Sequence, residues 1–97
     1  MGRQETIEKL KNELDELNEK LDSLEATGEK ISADVKSAYT EQMAALRGRK
    51  DKLAEKLGEA ERAGMDLWER VAGDFEIARA ALEAGITELR AQYKDQK

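Results

Sequence analysis

Cysteine, histidine and proline do not occur in this 97-residue chain, and its aromatic residues are Trp68, Phe75, Tyr39 and Tyr93. Without cysteine or histidine there are no disulfides, no thiolate or imidazole metal sites, and no chemistry built on a Cys nucleophile or a His base. The missing cysteines suit any compartment, so they do not decide localisation. An excess of basic charge is lacking too: the net charge is -5, which argues against binding through nucleic-acid phosphates. Long apolar runs are also missing. The opening "MGRQETIEKLKNELDEL" places a charge every few residues, unlike a secretory signal or a membrane span, and a cytoplasmic protein of bacterial type is the simplest expectation.

What the chain does have is charge and small or aliphatic side chains: 40% of it is Asp, Glu, Lys or Arg. That composition is the signature of long helices and coiled coils. At this length the chain forms one domain, and so small a domain gains from partner helices, which makes self-association the default expectation.

Periodicity supports this. Ile7, Leu10, Leu14, Leu17, Leu21 and Leu24 follow one another at steps of 3, 4, 3, 4 and 3, an a/d seam that buries a narrow stripe against another helix. Charges fill the positions between, with Glu5 and Lys9, and Glu16 and Lys20, spaced to pair on a solvated face. Gly28 then falls on the next seam position. Glycine both weakens a helix interior and favours a helix end, so a turn here is one reading. Phase favours the other, because Ile31 and Val35 keep the seam in register where a loop is free to reset it.

Val35, Tyr39, Met43 and Leu46 run at 4, 4 and 3, a stutter that locally unwinds a supercoil, before Leu53, Leu57 and Ala60 resume heptad spacing. A last seam passes through Val71, Phe75, Ala78, Leu82, Ile86, Leu89 and Tyr93, with a mean step that suits straight packing. Between these seams "ERAGMDLWE" reads as a break. Gly64 ends one helix, and Asp66 caps the next with Glu69 completing a capping box. The expected fold is all-α: a helix over about 3–62, with a bend or turn near 27–28, a turn at about 63–65, and a helix over about 66–94 folded back antiparallel. The alternative, if a turn forms near Gly28, is a three-helix bundle.

Charge is segmented. Residues 1–26 carry eight acids and four bases, and residues 27–62 seven acids and eight bases, so the acidic first segment is suited to lie against "RGRKDK" at 47–52. Arg47, Arg49, Lys50 and Lys52 spread around a helix among Asp51, Glu55 and Glu59, which favours an interhelical charge network over a phosphate-binding face. Glu13, Asp15, Glu16 and Glu19 read as surface charges in place of a cation site, since no EF-hand-type loop accompanies them. General acid-base catalysis requires a desolvated pocket that a narrow Leu/Ala seam does not usually enclose, so no enzyme activity and no cofactor are expected. Trp68 shares a helix face with Val71 and Phe75. It reads either as a plug where two helices diverge at the turn or as an anchor for a partner.

Two short stretches carry a resemblance. Tyr39, Gln42, Leu46, Arg47, Arg49, Lys50 and Asp51, together with Asp66, Trp68 and Glu69, resemble a "Y-x-x-Q…L-R-x-K-R-D" stretch and a "D-x-W-E" helix start in a family of small bacterial coiled-coil proteins associated with stress responses. The resemblance implies a cytoplasmic helical interaction protein without established catalysis. From the residues alone, Ile7, Leu10, Leu14, Leu17, Leu21, Leu24, Trp68 and Phe75 are the expected interface, toward a second copy or a helical protein partner. The alternative is a lipid surface, onto which the last helix opens to lay Trp68, Phe75 and Leu82.

Overall fold

A computed structural model of the chain describes residues 2–93, which form three helices: α1 (Arg3–Gly28), α2 (Ala33–Arg62) and α3 (Trp68–Gln92). Each helix packs on the other two, α3 most extensively on α2 and least on α1, so the fold is an all-α three-helix bundle. It measures 51 × 18 × 15 Å. Its radius of gyration of 15.5 Å exceeds the roughly 12–13 Å of a spherical chain of this length, because α2 alone runs the length of the rod.

The single helix expected over about 3–62 is therefore two helices. Glu29, Lys30 and Ile31 donate their N–H groups to the carbonyls of Ala26, Thr27 and Gly28, a tightened last turn that reverses the chain. Ser32 then caps α2, its hydroxyl accepting the Asp34 N–H at 3.3 Å. Ile31 is buried, so it still fills a core position, but from the turn instead of from a continuous helix.

Gly28 does not end α1 through a left-handed conformation, since no described glycine has positive φ. Space is the reason: a Cβ built there would lie 2.5 Å from Tyr39 Cε1 and 2.8 Å from Cδ1. The Tyr39 ring packs flush against the α1 backbone and its hydroxyl donates to the Leu24 carbonyl. Tyr93 meets the same ring edge-on, with centroids 5.0 Å apart and planes at 85°. This aromatic pair closes one end of the rod.

At the other end the break at 63–67 forms, but the expected capping box does not. Leu67, not Asp66, is the N-cap of α3, and no side chain caps it. The Leu67 and Trp68 N–H groups instead donate to the Gly64 carbonyl at 3.1 and 3.2 Å, so the turn's backbone satisfies donors that a capping Asp would have taken. Arg3 crosses from α1 to close this end: its Nη2 donates to the carbonyls of Ala60, Glu61 and Ala63 at 3.1, 2.8 and 2.6 Å. A guanidinium over the last carbonyls of α2 satisfies orphan acceptors and complements the helix dipole. Arg3→Ala is expected to cost about 1 kcal/mol in urea unfolding, since the bonds are charge-assisted but partly exposed.

Gly48 and Gly73 have open space where a Cβ would go, although both lie inside helices. Gly48→Ala is expected to raise stability by about 0.5–1 kcal/mol, seen as a higher urea midpoint at unchanged slope.

Candidate functional site

Every leucine-seam residue expected to form an interface lies in the core of one chain. Ile7, Leu10, Leu17, Leu21 and Leu24 are buried and Leu14 packs half-buried beside them, in one contiguous apolar cluster with Leu53, Leu57 and Phe75. The uncovered leucine stripe that a two-helix hairpin would have left does not exist, because the turn after Gly28 brings α2 and α3 over it. Phe75 and Leu82 are fully buried, so the face required by the lipid-surface reading is likewise inside the bundle. Trp68 is buried at the first position of α3, outside the main apolar cluster, beside the turn it was expected to plug.

The charge complementarity between α1 and the basic stretch is present. Arg47 Nη2 lies 3.0 Å from Asp22 Oδ1 and 2.9 Å from Glu25 Oε2, and the Asp22 hydrogen bond, with Glu25 adding to it, raises the guanidinium pKa. Lys50 occupies the seam position between Leu46 and Leu53, where it is partly buried, and its ammonium reaches Asp51 at 3.2 Å. The helix-local pairs expected of Glu5 with Lys9 and Glu16 with Lys20 are replaced: Lys9 approaches Glu13 at 3.8 Å and Lys20 crosses to Glu83 on α3 at 3.1 Å.

The densest polar constellation spans α1 and α3, where sequence periodicity marked only solvated charges. Arg79 Nε donates to Glu76 Oε2 at 3.0 Å and Nη1 to Glu83 Oε2 at 2.6 Å. Glu13 Oε2 also stands 3.0 Å from Arg79 Nε, but the single Nε–H is directed at Glu76. With both groups ionised, Glu13 Oε2 and Glu76 Oε1 are buried without a hydrogen-bond partner. Burial, then the hydrogen bond and the like charge of Glu76, raise the Glu13 pKa to about 7 against the opposing charges of Arg79 and Lys9. Glu76 is held below its ordinary value: burial alone would raise it, but hydrogen bonds from Glu13 and Arg79 and the charges of Arg79 and Lys9 outweigh that. Glu83 is lowered by its hydrogen bond to Lys20 and that ammonium's charge.

Two further features are open to solvent. A surface cleft of about 300 Å³ between α2 and α3 is lined by Gln42, Leu46, Arg49, Gly85, Glu88 and neighbours. Among the described residues, the large apolar side chains left exposed are Met65 and Leu67 in the α2–α3 turn and Ile77 on α3. Ile77 belongs to a second seam on the outward face of α3: Gly73, Ile77, Ala80, Ala84, Thr87 and Ala91 are all exposed and follow at steps of 4, 3, 4, 3 and 4. The core seam through Phe75, Leu82 and Leu89 masks this outer one in the sequence, because small residues between large ones read as filler.

Among the described residues no group of three or more His, Cys, Asp or Glu side chains is arranged to hold a metal ion, and no helix is long and apolar enough to cross a membrane. In comparisons with known proteins, no family model, curated protein or solved structure matches the chain.

Proposed function

We propose that the protein is a non-catalytic helical interaction module that binds a partner helix along the outward face of α3. The observation that carries this reading is the exposed 3–4 seam centred on Ile77, whose side chain is 74% exposed although it is as apolar as the core. Small residues on either side of it let a second backbone approach closely, and the spacing is that of a coiled-coil contact stripe. Its flanks carry Asp74, Glu88 and Arg70 on one side and Glu69, Glu76, Glu83 and Arg90 on the other, so acids outnumber bases five to two among the described residues. That acidic excess favours a helix with basic flanks over a second copy of this chain as the occupant. A cytoplasmic site of action and a stress association belong to the same proposal, and the latter is supported by the two short resembling stretches around Tyr39 and Trp68.

The test uses a synthetic helical peptide with Ala and Ile at its a and d positions and Lys at its flanks. The chain is expected to bind it, and Ile77→Ser and Ala84→Gln are expected to weaken binding about tenfold or more without changing the unfolding midpoint, since both positions are solvent-facing. Equal affinity for wild type and both variants would contradict the reading. A lipid-surface role is the second reading, favoured by exposed Met65 and Leu67 beside Trp68; a blue shift of Trp68 fluorescence with anionic or neutral vesicles is its expected sign, and no shift with either removes it.

A further inference from the structure

We propose that the Glu13–Glu76 pair is a proton-operated latch between α1 and α3: one proton shared by the two carboxyl groups holds the helices together, and its loss loosens that seam. The geometry requires a donor. Glu13 Oε2 and Glu76 Oε1 are both buried and both lack a hydrogen-bond partner when each group is treated as a carboxylate. The nearby N–H that stands within reach of both residues, Arg79 Nε, is committed to Glu76 Oε2. A proton on Glu13 supplies what is missing, since the hydrogen bond that links the Glu13 and Glu76 side chains then has a donor.

Arg79 is already spent on two carboxylates, Glu76 and Glu83, and Lys20 on Glu83, so a third negative charge at Glu13 is not fully compensated. The charged groups that bear most strongly on Glu13 are Lys9 on its own helix and Glu76 and Arg79 on α3. Lys9 is 3.8 Å away and half exposed, too distant and too wet to replace the proton. The latch also sits on the lightest of the three helix interfaces, the place where a local change of charge has most leverage.

The sign of the effect follows from linkage. Glu13 has its pKa raised from 4.5 to about 7, so its contribution to stability is complete below 4.5 and is lost as pH rises through 7. Glu76 has its pKa lowered, so its contribution is present above 4.5 and is lost only as pH falls through that depressed value. Together they make the singly protonated pair the most stable form, in mildly acid solution, and weaken it toward pH 8.

The experiment compares urea unfolding of the wild type and Glu13→Gln at pH 5 and pH 8, at constant ionic strength. The amide introduced by Glu13→Gln carries an N–H that can donate to Glu76 and has no proton to lose in this range. The two proteins are expected to agree at pH 5. At pH 8 the variant is expected to be the more stable by about ten- to a hundredfold in the unfolding constant, the range set by a raised pKa on a mostly buried group. Side-chain carbon NMR of the intact wild type reads the same event without a variant: Glu13 titrates near neutrality, and in Glu76→Gln its midpoint moves toward the ordinary carboxyl range. Identical pH profiles for wild type and Glu13→Gln, or a Glu13 midpoint that Glu76→Gln leaves in place, would overturn the latch.

Discussion

Leu21→Asp is expected to unfold the chain, not merely to dissociate an assembly. Leu21 is fully buried in the apolar cluster that all three helices build, with no polar group placed to receive a carboxylate. The substitution removes the packing of a leucine, worth about 3–5 kcal/mol in a site that cannot collapse, and adds the cost of an unpaired polar group, at least about 1–3 kcal/mol more. A bundle of this size holds on the order of 5–10 kcal/mol in all, so the sum removes most or all of it. Far-UV circular dichroism should show the helix signal collapse at every protein concentration. Leu14→Asp, at the half-buried position on the same seam, should cost much less. Were the seam an interface between chains, both variants would leave a helical protein whose mass alone had fallen.

The second large effect is expected at Gly28→Ala, which should lower stability by about 1–3 kcal/mol, although alanine is ordinarily the better helix former. The added methyl meets the Tyr39 ring at 2.5 and 2.8 Å. That ring cannot swing aside cheaply, because its hydroxyl is held by the Leu24 carbonyl and Tyr93 packs edge-on against it. A double-mutant cycle separates this cause from backbone effects: with Tyr39→Leu in place, Gly28→Ala should lose most of its cost. A penalty that persists unchanged would mean that the turn backbone, not the tyrosine, requires glycine. Gly48→Ala is the matched comparison, a helical glycine with open space and an expected gain.

These two residues also show what was legible in the chain. The seams through Leu21 and through Phe75 announced which side chains are inside, because heptad spacing is a local property and burial follows it. They did not announce which helix covers them, since a leucine stripe is equally dry against another chain or against a later segment of its own. Gly28 illustrates the same limit. Ile31 and Val35 continue the α1 phase, and that favoured one long helix; the compact turn happens to present Ile31 to the same core. The signal that would have corrected this was Ser32 followed by Asp34, an N-cap with an acid in the first turn, which marks a helix start regardless of phase.

The polar features were less legible for a related reason. Arg47 with Asp22 and Glu25 was foreseeable from the opposite charges of the two segments. The approach of Glu13 to Glu76 was not, since two acids on different helices are expected to avoid one another, and only the tertiary arrangement places Arg79 between them. Arg3 reaches carbonyls more than fifty residues away, a contact with no local sequence correlate. Asp66 and Glu69 matched a capping box by spacing, yet the turn's own carbonyl at Gly64 took the donors first.

Solution mass measured together with small-angle scattering tests most directly whether the leucine face is covered from within. The three-helix bundle predicts a particle of 10.9 kDa with a radius of gyration close to the 15.5 Å of its backbone, unchanged on dilution. A multiple of that mass, with the scattering of a rod about 90 Å long as an unbroken helix over residues 3–62 would require, would contradict it.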